Sequence, residues 1–302
     1  MARSHLKAAL VALFVTLLWS SSWVLIKWGL ADIAPLPFAG LRYALAALIL
    51  APIALRPANR RALATCGRGR IALLIAFGLL QYGLTQACQF LALSYLPATS
   101  LSLMLAFTPA LVAVLGVVLL GERIGWREGL GVAVFLAGAG LYFGADALPA
   151  AQRFGLAIGA LGVLANAGQT LLGRKVNRDT GLPPSLITAV SMAAGAAALL
   201  GTGVAVQGWP EMTPRGWLIV GWLAVVNTAL AFWLWNRTQA VLSALEASLI
   251  NNTMLIQIAV LAVVFLGERL DPIQIAGLTV AGVGVLGVQL ARMRPTPAPG
   301  SA

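Results

Sequence analysis

The chain has 302 residues, of which 60% are hydrophobic and only 10% are charged, and its mean hydropathy is +0.91. Soluble domains carry about 25% charged residues, so this composition excludes an ordinary water-soluble fold. The net charge of +11 would suggest nucleic-acid binding in a soluble protein. In a membrane protein it is typical of the loop charge that fixes orientation.

Long apolar segments follow one another along almost the whole chain. A membrane-spanning helix needs about 20 mostly apolar residues, because a rise of about 1.5 Å per residue must cross about 30 Å of hydrocarbon. Ten segments qualify: 7–29, 35–55, 71–93, 97–120, 128–145, 155–174, 184–206, 215–236, 243–266 and 272–291. None of them alternates in polarity as the strands of a barrel would. The sequence therefore predicts an all-α integral membrane protein with ten transmembrane helices.

Ten residues near the middle of the chain, VVLLGERIGW at 117–126, recur almost unchanged as VVFLGERLDP at 263–272. The shift of 146 positions between them also superimposes further pairs without a gap: Gly131 and Gly277, Gly138 and Gly284, Ala98 and Ala244, Ser102 and Ser248, and Gln81 and Asn227. One offset held over so long a stretch indicates an internal duplication. We therefore predict two repeats, one at 7–145 and one at 155–291.

The basic residues predict how the chain is oriented. With a cytoplasmic N-terminus, fifteen Lys and Arg residues belong to the cytoplasmic side, and only Arg153, Arg215 and Arg269 lie outside. This bias predicts a multi-pass protein of the cytoplasmic (inner) membrane with both termini in the cytoplasm. Each repeat holds an odd number of spans, so the second repeat enters the membrane from the opposite side. Inverted repeats are characteristic of transporters that work by alternating access, and a duplicated scaffold without alternating access is the alternative.

Polar side chains are concentrated in spans 1, 3, 4, 6, 8 and 9, and several of them recur at helical spacing. A polar side chain in hydrocarbon is costly unless it meets a partner or a water-filled cavity. We therefore predict that these six spans surround a central substrate cavity. Its predicted lining residues are Trp19, Ser22, Gln81, Tyr82, Gln86, Ser102, Asn166, Gln169, Asn227, Ser248, Asn251 and Asn252. The alternative is that these groups join helices through hydrogen bonds worth about 0.6 kcal/mol each.

Proline and glycine add two expectations about backbone shape. Pro109 lies in the middle of span 4, where it removes one backbone hydrogen bond and should bend the helix, so it is a candidate hinge. The matching position of the second repeat is Leu255, so a hinge of this kind is confined to one half. Small residues are expected to allow close packing of helices, namely Gly140 and Gly144 in span 5 and Ala193, Ala194, Gly195 and Ala196 in span 7.

Charged and reactive side chains are scarce within the spans. Apart from charged residues at the first or last position of a span, only Glu246 of the nine acidic residues lies inside a span, and the cations there are Lys27 and Arg42, whose roles stay open. Cys66 and Cys88 are expected to be free thiols. The sequence contains no Cys/His metal motif, no phosphate-binding loop and no pairing of nucleophile with base. We therefore expect no enzyme activity, no metal and no cofactor, and no proton relay of buried carboxylates.

Four segments carry a resemblance to a known family: LLWSSSWVLIKWGL in span 1, PLPFAGLRYALAALIL in span 2, LPATSLSLMLAFTPALVAVLGVVLLGERI in span 4 and EASLINNTMLIQIAVLAVVFLGERL in span 9. Their order and repetition resemble the EamA-type members of the drug/metabolite transporter superfamily, and among these the aromatic amino acid exporters. The resemblance covers nearly the whole chain. It implies ten helices in two five-helix inverted-topology repeats around a basket-like central cavity.

Two functions stay open on this basis. The first is export of amino acids or similar small metabolites by alternating access, passive and uniport-like, which suits a cavity without clusters of charge. The second is broad-specificity efflux of drugs or metabolites, with or without proton coupling. The expected partners are a small-molecule substrate and the lipid bilayer, with no nucleic acid. The protein is expected to be a monomer or a homodimer.

Overall fold

The computed structural model describes residues 2–120, 125–144, 149–239 and 241–292. Within these residues the structure is helical and contains no strand. Ten long helices coincide with the ten predicted spans, and their bounds are α1 Ala2–Gly29, α2 Pro35–Leu55, α3 Arg68–Tyr95, α4 Ala98–Ala106 continued by Thr108–Leu120, α5 Trp126–Phe143, α6 Ala150–Asp179, α7 Pro184–Gln207, α8 Pro214–Thr238, α9 Ala244–Leu266 and α10 Pro272–Arg292. A short helix, Pro57–Ala64, connects α2 to α3.

Nine helices in the described part of the chain are long and apolar enough to cross a membrane. The tenth predicted span is present as α5, but this helix has only 18 residues. Its first turn contains Arg127 and Glu128, which lower the mean hydropathy of a helix that is already short. The predicted all-α membrane fold is confirmed, with nine spans established and α5 as the tenth long helix.

The clearest difference from the predicted bounds is at α6. The sequence predicts a span at 155–174, whereas the helix continues over 30 residues to Asp179. Hydropathy marks only the part of a helix that suits lipid, and the last turns of α6 carry basic residues that suit water. Three predicted features lie outside the described residues, namely the first Gly-Glu-Arg motif at 121–123, the end of the first repeat at 145, and Arg294.

Helices that occupy the same position in the two repeats pack directly on each other. α2 lies along α7, and α5 lies along α10. The other helices interlock the two halves, because α1 packs on α8 and α9 while α6 packs on α3 and α4. This exchange of equivalent contacts is what a pseudo-two-fold axis between the repeats produces. The axis passes through the α2–α7 and α5–α10 contacts.

Glycines bring α5 and α10 into backbone contact. Gly131 on α5 lies against Gly284 on α10, and Gly138 lies against Gly277, so each contacts the repeat mate of the other. A Cβ atom added at Gly138 would lie 2.3 Å from the backbone nitrogen of Ala281, which is closer than any real contact. Small residues allow such a close approach. In lipid no hydrophobic driving force brings helices together, so close packing must hold the pair.

Of the glycines expected to pack, Gly195 on α7 does, since a Cβ atom there would lie 2.2 Å from the carbonyl oxygen of Gly78 on α3. A Cβ atom at Gly140 would meet nothing within 4 Å, so this residue faces away from neighbouring helices. Gly144 follows α5 with a φ of 64°, a left-handed value that favours glycine at the end of a helix. The helical period explains the difference, since Gly131 and Gly138 are seven residues apart and share a face.

α3 and α8 share a second symmetric feature. Each contains a π-helical turn, at Leu79–Leu84 and at Val225–Leu230, and the two turns are related by the repeat offset. A π-helical turn widens the helix and leaves a backbone carbonyl without its usual partner. The hydroxyls of Thr85 and Thr228 donate to the carbonyl five residues earlier, each at 2.8 Å. The widened turns are therefore satisfied within their own helices.

α4 is interrupted where the proline was noted. The helix breaks at Phe107, because Pro109 has no N–H to donate to the carbonyl of Leu105. The hydroxyl of Thr108 donates to that carbonyl instead, at 2.7 Å. α9, which has Leu255 at the matching position, is continuous. The break is confined to the first repeat, and its role as a hinge stays a prediction.

We expect Gly138→Ala to destabilise the protein and Gly140→Ala to leave it unchanged. The added methyl group at residue 138 meets the α10 backbone, and overpacking of this kind costs about 1–3 kcal/mol. The measurement is the midpoint of thermal denaturation of the detergent-solubilised protein, followed by size-exclusion chromatography. Equal midpoints for the two variants would contradict the close contact between α5 and α10.

Candidate functional site

A cavity of about 570 Å³ lies among α1, α4, α6, α9 and α10. Ligand sites for small molecules have volumes of about 300–1,000 Å³. The walls on α1, α6 and α10 consist of five residues: Trp23, Asn166, Thr170, Arg174 and Gln289. The rest of the wall comes from α4 and α9.

The α4 and α9 walls are repeat mates of each other, residue by residue. Each α4 residue that lines the cavity has its partner at the offset of 146 on α9, and the pairs are Ser102 and Ser248, Leu105 and Asn251, Ala106 and Asn252, Thr108 and Met254, Pro109 and Leu255, and Val112 and Ile258. The cavity therefore lies across the pseudo-two-fold axis. Equivalent elements of the two halves face each other in it, as in transporters built from inverted repeats.

The two ends of the cavity differ in polarity. Arg174 near the end of α6, Asn251 near the start of α9 and Gln289 near the end of α10 lie together at one end, which we call the open end. Arg174 and Asn251 are exposed there. These are the helix ends that the charge bias assigns to the cytoplasm.

The opposite end, where α4 begins and α9 ends, is the closed end. The largest cluster of buried apolar side chains fills it, and Phe38 and Phe90 lie at its centre with their rings 5.2 Å apart. Both side chains are fully buried. The two rings pack edge to face, and we take this packed apolar region as closing that end of the bundle.

The second Gly-Glu-Arg motif reinforces the closed end. Gly267 ends α9 with a φ of 67°, and the chain then turns so that Glu268 meets the first turn of α4. Its carboxylate accepts hydrogen bonds from the backbone N–H of Ala98 at 2.5 Å, and from the N–H and hydroxyl of Thr99 at 3.1 and 2.7 Å. Anions stabilise the N-terminus of a helix, which has unpaired N–H groups and a partial positive charge.

The start of α9, the repeat mate of the start of α4, is capped differently. The hydroxyl of Ser243 accepts a hydrogen bond from the backbone N–H of Glu246, and the carboxylate of Glu246 accepts one from the N–H of Ser243 at 2.9 Å. This is a capping box. Glu246 also contacts His5, with Nε2 and Oε1 3.2 Å apart. Glu246 thus serves the helix end and does not line the cavity.

Six of the predicted residues meet at the cavity and seven do not line it. Ser102, Asn166, Ser248, Asn251 and Asn252 line the cavity together with Pro109. Gln169 lies behind the wall, where its Nε2 donates to Oδ1 of Asn166 at 2.8 Å. The remaining residues, Trp19, Ser22, Gln81, Tyr82, Gln86 and Asn227, lie elsewhere in the described part of the chain.

Several of these outlying side chains join helices. Trp19 packs against Trp235 on α8, with ring centroids 5.1 Å apart. Tyr82 is buried against Tyr43 on α2 at 5.6 Å. Asn227 is fully buried, and its Nδ2 donates to the carbonyl of Leu18 and to the hydroxyl of Ser21 on α1. The polar faces of α3 and α8 thus turn towards neighbouring helices.

The hydroxyl of Ser22 donates to the carbonyl of Trp19 within α1 at 2.5 Å. Gln81 and Asn227, which are repeat mates, each retain a buried side-chain oxygen without a partner in the described part of the chain. Arg42 is also a joint between helices, since its Nε donates to the hydroxyl of Thr228 on α8 at 3.2 Å. Its guanidinium lies 5.1 Å from the ring centroid of Tyr43.

The lining residues that were not predicted include Trp23, Arg174, Met254 and Gln289. Arg174 had a signal, because Asn166, Thr170 and Arg174 recur every four residues and so share one face of α6. In the sequence, however, Arg174 was counted among the basic residues that predict the orientation of the chain. Gln289 had no such signal, because the residues before it on α10, from 280 to 288, are all apolar.

Comparison with known proteins identifies a family. The EamA-like transporter family matches the chain twice, over residues 6–144 and 153–290. A bacterial relative, the uncharacterized transporter YvbV of Bacillus subtilis (strain 168), is 29% identical over 231 residues, which cover 75% of this chain and 70% of the relative. A protein of known crystal structure shares the fold with a TM-score of 0.64 and 20% sequence identity, over 95% of this chain and 98% of the other.

We expect a cysteine at Asn251 to react with a membrane-impermeant maleimide, because this side chain faces a water-filled cavity. The background is a variant in which Cys66 and Cys88 are replaced by serine. The matched control is Ile256→Cys, five residues further along α9, whose side chain is 66% exposed but lies in an apolar groove that faces lipid. The measurement is the labelled fraction in membrane vesicles of both orientations.

The expected result is labelling of Asn251→Cys from one face of the membrane and no labelling of Ile256→Cys from either. A water-soluble reagent needs an aqueous path, and lipid provides none. If both positions react alike, or if only Ile256→Cys reacts, the cavity at Asn251 is not open to water.

Proposed function

The chain belongs to the EamA-like transporter family, within the drug/metabolite transporter superfamily, and from this premise we propose that it exports amino acids or similar small metabolites by alternating access. It is a multi-pass membrane protein of a family that transports small molecules. The family assignment favours a transporter over an enzyme. The substrate, the direction and the absence of a coupled ion are the proposal.

The observation that carries the proposal is the cavity on the repeat axis with one open end and one closed end. A binding site that is reached from one side only is the arrangement that alternating access requires. Exchange of the conformations of the two halves would open the other end.

The chemistry of the wall supports a small amphipathic substrate. The cavity has a volume of about 570 Å³, and it is lined by apolar side chains such as Trp23, Leu105 and Met254 and by amides and hydroxyls. No carboxylate belongs to the wall formed by the described residues. A permanently charged cation would be expected to meet a carboxylate, and so would a transported proton. The wall therefore supports passive movement of the substrate down its own gradient.

The proposed location is the cytoplasmic membrane, with both termini in the cytoplasm. The bias of basic residues supports this orientation, which would turn the open end with Arg174 towards the cytoplasm. Cells accumulate amino acids, so passive transport would then run outward. A zwitterion that crosses without an ion moves no net charge, and the membrane potential would have little effect.

A second function, broad-specificity efflux of lipophilic compounds, is favoured by a groove between α9 and α10. This groove also measures about 570 Å³, and its wall is almost entirely apolar. It shares Ala106, Asn252 and Leu255 with the central cavity. A compound dissolved in the bilayer could therefore reach the cavity from the side. A polar amino acid could not take this route.

We expect proteoliposomes that contain the protein to exchange labelled amino acids in counterflow, and an imposed pH gradient to leave the equilibrium level of uptake unchanged. The physical reason is that the wall has no carboxylate to load a proton. Glu246→Gln is the matched variant, because Glu246 is the carboxylate nearest to the open end of α9. Accumulation above equilibrium that follows the pH gradient and is lost in Glu246→Gln would contradict passive transport.

We expect a reporter that functions only in the cytoplasm to be active when it is fused after Ala302. The bias of fifteen basic residues to three supports this orientation, and the measurement is reporter activity in intact cells. A reporter that functions only after export, fused at the same residue, serves as the control. Activity of the exported reporter alone would overturn the proposed topology.

A further inference from the structure

The polar groups of the cavity divide into those that already have partners and those that do not. Nδ2 of Asn166 donates to the hydroxyl of Thr108 at 3.0 Å, and the hydroxyl of Thr170 donates to the carbonyl of Asn166 at 2.8 Å. Asn252 and Gln289 bind each other through both of their amides. A hydrogen-bonding group whose partners lie within the protein has little to offer a ligand.

Three polar side chains of the wall are left for a ligand. In the described part of the chain, Arg174, Ser248 and Asn251 form no side-chain hydrogen bond and no ion pair, although all three line the cavity. Two of them lie at the start of α9, and Arg174 lies across from them near the end of α6. They are a guanidinium, a hydroxyl and an amide grouped at the open end.

Arg174 brings a charge that nothing in the wall balances. The guanidinium presents a planar set of N–H donors that fits a carboxylate in two parallel hydrogen bonds. The two residues beside it on α6 are arranged differently, since Arg178 pairs with Asp179 at 3.0 Å and Lys175 does not line the cavity. The charge bias explains a cation at this end of the helix, but not one that faces the cavity without a partner.

We propose that Arg174 binds the carboxylate of the substrate, so that the protein selects small monocarboxylates with an apolar body. This inference rests on the proposed function and names the chemical group that the same cavity recognises. The apolar body of the substrate lies deeper, against Trp23 and Met254, and its carboxylate faces the open end.

The proposal also says which part of an amino acid is not recognised. An ammonium group would need an acidic partner to be strongly selected, and the wall offers only the neutral oxygens of Ser248 and Asn251. Removal of the amino group should therefore cost little affinity. Removal of the charge on the carboxylate should cost about tenfold to a hundredfold, the worth of a charged hydrogen bond.

The experiment compares three ligands built on one carbon skeleton: phenylalanine, 3-phenylpropanoate, which lacks the amino group, and phenylalanine amide, which lacks the carboxylate. A second set is built on leucine in the same way. Binding is measured by the rise in the thermal denaturation midpoint of the purified full-length protein. Transport is measured by the competition of each ligand against counterflow of the labelled amino acid.

We expect both carboxylates to stabilise and to compete about equally, and the amide to be weaker by at least about tenfold. Arg174→Gln should remove the difference between acid and amide, and Arg174→Lys should keep part of it because it retains the charge without the fork of donors. Lys175→Gln is the matched control, and it should behave as the wild type. The acid-to-amide ratio is taken within each variant, so the amount of folded protein does not affect it.

The outcomes separate this inference from the proposed function. Stabilisation by carboxylates through Arg174 without any counterflow would uphold the inference and overturn amino acid export. Counterflow in which amide and acid compete equally, or a ratio unchanged in Arg174→Gln, would overturn the inference and leave export intact. Neither binding nor counterflow in either set of ligands would overturn both.

Discussion

Glycines at the contact between α5 and α10 let two helix backbones touch, and this contact fixes where the repeat axis runs. Lipid offers no apolar driving force for helix association, so tight packing must hold the pair together. Gly138 and Gly284 leave no room for a side chain between the helices. With α5 on α10 and α2 on α7, the equivalent helices stay on the axis. α1, α4, α6 and α9, together with the end of α10, then surround the cavity that lies across the axis.

The cavity acquires its character from differences between two similar halves. The same positions of α4 and α9 line it, but Leu105 and Ala106 on one side face Asn251 and Asn252 on the other. The helix starts differ as well, because the N-cap residue of α4 is Pro97, which provides no side-chain cap, whereas that of α9 is Ser243. Duplication alone would give a symmetric channel-like space. These substitutions make one end polar and the other sealed.

The fold could be predicted because membrane insertion leaves a strong pattern in the sequence, and the offset between the Gly-Glu-Arg motifs predicted which helices are equivalent. The site could be predicted only in part. Polarity within a span shows that a side chain needs a partner, but it does not show which helix provides it. Asn227 found its partners on α1, whereas Asn166 reached the cavity wall. Deciding whether a polar side chain contacts another helix or lines the cavity requires the rotation of each helix about its own axis. A single sequence does not contain this information.

The break in α4 has a consequence for measurements made from the two sides of the membrane. Full exchange of conformations would require α9 to bend with Leu255 in place of a proline, and α4 to straighten around Pro109. Proline inside a regular helix costs about 3 kcal/mol, so this segment favours the state with the broken α4. A ligand that binds only the rarer state has its apparent affinity reduced by the population of that state. The protein should therefore show different half-saturation concentrations at its two faces, even for a substrate that crosses unaccompanied.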